Sequence, residues 1–171
     1  MTIPTDIAEI ATAFAADAER FVSWLDRVAA DEQSALNMRE LHELLGLLQA
    51  AASRLLGVVP ESDEPGSGVR LTPQVAATIR EKLPINAYSV VFDPFEFDPL
   101  EQNSPQPVVA MLDDDLGDIY SDLTQGLALY RAGRYRDALW QWHWSYYAHW
   151  GRHLSHAQSA IWQYLSAGNW A

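Results

Sequence analysis

Residues 135–162 read YRDALWQWHWSYYAHWGRHLSHAQSAIW, and the fold turns on this stretch. It carries five of the chain's seven tryptophans and four of its five histidines. Rings at this density are too costly to leave in water, so the segment needs cover from the fold, a partner or a ligand. At about 100° of rotation per residue, one face gathers Leu139, Trp142, Trp150, Ala157 and Ile161, with His149 and His153 inside it rather than at its rim. Trp140, Trp144, Tyr147 and Trp162 form a second stripe, and only a strip through Asp137, Gln141, Ser145 and Ser155 is polar or small. A helix apolar round most of its circumference is central in a bundle or shared with another subunit.

The helix before it, expected from about Pro107 to Arg131, stops at Gly133 and makes an antiparallel hairpin with the aromatic helix. Leu112, Leu116, Ile119, Leu123 and Leu127 share its apolar face. Asp115, Asp118 and Asp122 line one edge of that face, whereas Asp113 and Asp114 fall away from it and read as solvated. Gly126 lies beside the apolar face, where a missing side chain permits close helix approach. Counted outward from the turn, Asp118 stands level with about Ala148 and Asp115 with about Gly151.

Toward the N-terminus the helical period recurs. Ile10, Phe14, Ala18, Phe21, Leu25 and Val28 mark a helix opening after Pro4 and Thr5. Asn37 and Glu40 form a capping pair for a second helix that Gly57 is expected to stop. Residues 58–68, rich in Pro, Gly, Ser and acid, read as a surface loop, with Gly66-Ser67-Gly68 a flexible turn. Thr72 and Pro73 open a short third helix that Pro84 ends. Residues 85–107 carry Pro94, Pro99, Pro105 and Pro107 and break every regular pattern. Tyr88 to Phe92 has strand character but no partner signal, so an ordered loop is expected across the bundle, pinned by Tyr88, Phe92, Phe95 and Phe97, as static cover or a lid. The expectation is an all-α single domain over residues 1–171: a bundle of about five helices, with the long aromatic helix last and the Pro-rich loop before the final hairpin.

The formal net charge of −12 and pI near 4.6 repel phosphate backbones and anionic lipid, which argues against nucleic-acid and membrane partners. With no cysteine, disulfides, thiolate zinc sites and cysteine nucleophiles are excluded. The opening residues lack the basic region of a secretory signal, and no apolar run approaches the roughly 18 residues of a membrane span. A cytoplasmic protein is the expectation.

Two histidines at i and i+4 facing carboxylates on a neighbouring helix have the donor types and spacing of bundle-core metal sites. The candidate ligands are Asp115, Asp118, His149 and His153, for one divalent ion, with Asp122 behind them or acting as base. The same arrangement also serves packing, since an unpaired buried donor costs about 1–3 kcal/mol. The Glu-x-x-His pair of di-iron bundles is missing. His143 and His156 read as packing or surface residues, and His42 has no evident partner. Phosphate-loop, nucleophile-elbow and His-Glu-x-x-His motifs do not occur.

Asp114-Asp115-Leu116-Gly117-Asp118-Ile119-Tyr120, Asp137-Ala138-Leu139-Trp140-Gln141-Trp142 and His149-Trp150-Gly151-x-His153 together resemble a bacterial family catalogued as a domain of unknown function. The likeness is specific over roughly the last 60 residues and implies an all-helical fold. Where that family continues with basic residues and a histidine, this chain has Gln158, Ser159 and Trp162. A looser resemblance is to the metal-binding four-helix bundles of the damage-inducible hydrolase and thiol-transferase superfamily, whose third histidine could only be His42 here. The first functional expectation is a non-enzymatic interaction or scaffold protein, as a homodimer or with a protein partner on the stripe of Trp140, Trp144, Tyr147 and Trp162. The alternative is a metal-dependent hydrolase or transferase.

Overall fold

A computed structural model describes residues 7–31, 36–62, 64–90 and 107–169. In chain order the elements are α1 (Ile7–Ala30), α2 (Met38–Ala52), α3 (Pro73–Lys82), β1 (Ala87–Val90), β2 (Val108–Met111), α4 (Leu112–Arg131), α5 (Tyr135–Ser145), a π turn (Tyr146–Trp150) and α6 (Gly151–Ser166). Among the described residues, α5, the π turn and α6 run on without a break as one aromatic helix, and the architecture is all-α apart from the small β1–β2 pair.

The hairpin at Gly133 closes as the sequence implies. Gly133 takes a φ of 76°, its N–H donates to the Tyr130 carbonyl at 2.9 Å, and the Arg134 N–H donates to the Leu129 carbonyl at 3.0 Å. This left-handed cap satisfies the last carbonyls of α4 and turns the chain back on itself. Trp142 and Trp150, both 0% exposed, are the largest fully buried side chains among the described residues. Phe14 of α1 meets Trp142 at 4.8 Å between ring centroids. α1 thus covers α4 and α5, while α2 covers α6.

Helix starts follow their caps. The Asn37 side chain accepts from the N–H groups of Arg39 and Glu40, and Thr72 accepts from the Val75 N–H. α2 ends at Ala52 rather than at Gly57. Ser53 Oγ bonds the Ala50 carbonyl there at 2.9 Å, offering the backbone an alternative to the helical ladder.

Three expectations change. β1 has a partner, because Val108–Met111 pairs with it antiparallel, Tyr88 opposite Ala110; α4 therefore begins at Leu112 and not near Pro107. The β-branched Val108 and Val109 suit a strand, and the Leu112 N–H donates to the Asn86 carbonyl at 2.8 Å, tying the pair to the helix start. Asp113 is buried, not solvated, and pairs with Arg80 of α3 at 2.6 Å. Gly66 and Gly68 are no free turn: a Cβ on either would overlap Gln125 of α4, so the loop lies flat against that helix. The pinning roles expected of Phe92, Phe95 and Phe97 lie outside the described residues.

Candidate metal centre

α4 and the aromatic helix run antiparallel, which brings Asp115, Asp118 and Asp122 opposite His149 and His153. The pairing alternates along the two helices. His149 Nδ1 lies 2.7 Å from Asp122 Oδ2, and His153 Nδ1 lies 2.7 Å from Asp115 Oδ1. An ionised carboxylate can only accept, so each Nδ1 carries the proton and donates it. Both Nε2 atoms then point at the residue between, Asp118: its Oδ2 is 3.4 Å from His153 Nε2 and 3.9 Å from His149 Nε2. One donor atom from each of Asp118, His149 and His153 falls within 4.8 Å of the others.

The expected four-ligand set thus divides. Asp118, His149 and His153 converge, whereas Asp115 backs His153 as Asp122 backs His149. His42 does not join this group among the described residues. Carboxylates on the far ring nitrogens fix tautomer and ring orientation in metal-binding histidines and raise their basicity. His153 shows the effect directly: the bond to Asp115 outweighs burial and lifts its pKa above the ordinary imidazole value. Burial is the main cause that raises the pKa of Asp122, against the pull of His149.

Asp115 has a further partner that the sequence does not reveal. The Tyr88 hydroxyl of β1 donates to its second oxygen, so the small hairpin reaches the site through a Tyr88–Asp115–His153 chain. Burial, followed by the Asp115 contact, drives the Tyr88 phenol well above its usual range. Only the late pairing of Val108–Met111 with Tyr88's strand brings it here, and the Val-Val pair is the one sequence signal that could have found it.

His149 sits within the π turn, a feature that recurs at functional sites. Ser145 Oγ bonds back to the Gln141 carbonyl at 2.7 Å just before it. At its end, a Cβ on Gly151 would overlap the Tyr146 carbonyl and stand 2.9 Å from the Tyr146 ring. Glycine at 151 permits the turn. The two histidine rings meet edge-on, 4.8 Å between centroids.

The second stripe is solvent-facing: Trp144, Tyr147 and Trp162 are 54%, 72% and 60% exposed, and Trp140 stacks on Trp144 at 5.8 Å. The strip through Asp137, Gln141 and Ser145 is buried. Glu61 and Ser62 cover part of it, their N–H groups donating to Asp137 at 2.6 and 3.3 Å. No helix among the described residues is long and apolar enough to cross a membrane.

No curated protein matches the chain. Among solved structures, protein BF1032 from Bacteroides fragilis is similar in fold, with a TM-score of 0.63 at 20% identity over 86% of this chain and 87% of that one. The family resemblance extends well beyond the last helical hairpin: residues 5–167 match the family described as "Domain of unknown function (DUF5063)", and the chain belongs to it.

Proposed function

We propose that the protein binds one divalent metal ion, zinc by its donor set, through Asp118, His149 and His153, and uses it in hydrolysis or group transfer. The observation that carries this reading is the convergence of two Nε2 atoms on Asp118 while each Nδ1 is held 2.7 Å from its own carboxylate. Zinc bonds of about 2.0–2.1 Å in tetrahedral geometry set ligand atoms roughly 3.4 Å apart. The Asp118 separations are 3.4 and 3.9 Å and all three donor atoms lie within 4.8 Å of one another, so the side chains must draw together to close round an ion. Three protein donors leave a fourth position open, and an ion held this way polarises a substrate oxygen or lowers the pKa of a bound water toward about 7. Elemental analysis of zinc-loaded protein made without a histidine tag tests the reading. About one zinc per chain is expected, and none in the His149→Ala/His153→Ala double variant; no stoichiometric metal in the parent protein overturns it.

A second reading, a non-enzymatic interaction or scaffold role, is supported by the exposure of Trp144, Tyr147 and Trp162, more large aromatic surface than a solvated helix ordinarily presents. Light scattering addresses its homodimer form, and a monomer at high concentration removes the self-pairing stripe.

A further inference from the structure

A cavity of about 200 Å³ opens beside Asp118, lined by Arg70, Leu71, Arg80, Asp113 and Gly117 among others. On a chain with only 11 lysines and arginines against 23 acids, two guanidinium groups at one cavity are conspicuous. Arg80 pairs with the buried Asp113 at 2.6 Å, yet its side chain is 58% exposed, so part of its donor fork faces outward. Arg70, exposed at the cavity's edge, has no hydrogen-bond or ion-pair partner among the described residues. Gly117 lines the cavity without a side chain, and a Cβ there would stand in ordinary contact with Leu71 Cδ1 at 3.8 Å.

Charge decides what such a cavity accepts. Two guanidinium groups face the carboxylates of Asp113, Asp114 and Asp118, leaving the ground negative by one charge. A divalent ion on Asp118 more than offsets that deficit within the lining, while Asp115 and Asp122, held on the histidines of the same ion, are not part of the lining. Anion binding here is therefore conditional on the metal. The Arg70 guanidinium, the part of the Arg80 fork that Asp113 does not hold and an ion also supply three cationic contacts, which match the three terminal oxygens of a phosphomonoester better than the two of a carboxylate.

Resting on the metal site proposed above, we infer that this cavity receives the phosphoryl group of a small phosphorylated substrate, gripped by Arg70 and Arg80 and oriented toward the ion at Asp118. The probe is inorganic phosphate, titrated calorimetrically into protein carrying one equivalent of zinc and into metal-free protein. Binding is expected on the zinc-loaded protein, about tenfold or more weaker without metal, and about tenfold weaker for Arg70→Ala, as loss of a charged contact implies. Acetate binds more weakly than phosphate to the loaded protein. Because Arg80→Ala would strand the buried Asp113, the second variant is Gly117→Leu, which fills the cavity floor; it retains zinc and loses phosphate. Zinc uptake without phosphate binding overturns this inference alone, as does equal affinity in the parent and Arg70→Ala. Failure to take up zinc overturns the metal site and this inference with it.

Discussion

Gly126 and Trp142 touch so closely across the final hairpin that a methyl group on residue 126 would overlap the indole. The ring is held there by its own hydrogen bond, Nε1 donating to the Leu123 carbonyl at 3.1 Å. Trp142 is fully buried and cannot step aside without opening the core. Gly126→Ala should therefore cost about 1–3 kcal/mol by overpacking, despite alanine's better helix propensity. Gly46→Ala is the control, since its Cβ would meet nothing nearer than 3.9 Å, and should gain about 0.5–1 kcal/mol. Equal urea midpoints for the two variants would refute the close contact.

Asp137 should make stability depend on acid. Burial alone would push its carboxyl up, but the N–H groups of Glu61 and Ser62 and the Arg134 guanidinium outweigh it and hold the pKa below the usual carboxylate value. Its stabilising effect is then complete above the unfolded value and lost as pH falls through the folded one, because the unfolded chain binds the proton first. Asp137→Asn should cost about 1–3 kcal/mol at pH 7, and the difference from the parent should shrink below about pH 4. A penalty constant with pH in denaturant titrations would show that the charge is irrelevant.

The carboxylates behind the histidines are open to the same kind of test. Asp122→Asn and Asp115→Asn should each weaken zinc binding by about 10–100-fold, the usual cost of losing an outer partner. Tyr88→Phe removes a more distant link, and up to about tenfold is expected. Competition against a chromophoric chelator reads all three. Unchanged affinities would make these residues packing partners only.

Gly151→Ala should act on the site more than on the bulk of the core. Its methyl would collide with the Tyr146 carbonyl, so the π turn must re-form and carry His149 with it. Zinc affinity should drop while the thermal transition stays cooperative, with about 1–3 kcal/mol of stability lost. A variant that keeps parent affinity would show the turn to be incidental.

The pairing of helices was legible because it depends on local rules: a 3.6-residue period, Asn37 and Thr72 as caps, and Gly133 as the turn. Counting from that turn also brought the acid edge opposite His149 and His153. Division of labour within the cluster was not legible, since which oxygen meets which ring nitrogen depends on fractions of a helical turn. Asp113 was misread for a different reason: the wheel of α4 shows its own apolar face and cannot reveal that α3 brings Arg80 across the other side. Val108 and Val109 looked like a helix entrance because their partner strand lies some twenty positions earlier. Asp137, Gln141 and Ser145 look like surface until a loop without periodicity of its own covers the first of them.

The π turn means that the aromatic helix contains one residue more than its hydrogen-bond ladder requires. Residues on either side of the surplus are out of phase with a continuous α-helix, so α5 can aim Trp142 at Phe14 while α6 independently aims His153 at Asp115. Deleting exposed Ala148 would remove the surplus and let the ladder close as a regular α-helix, with Trp142 and His153 keeping their relative direction and His149, inside the turn, re-aimed. The shortened chain should remain helical by circular dichroism and keep its core stability, but bind zinc more weakly through the displaced His149. Spacing along the chain, and not only the identity of its histidines, is what a related sequence must preserve to keep this site.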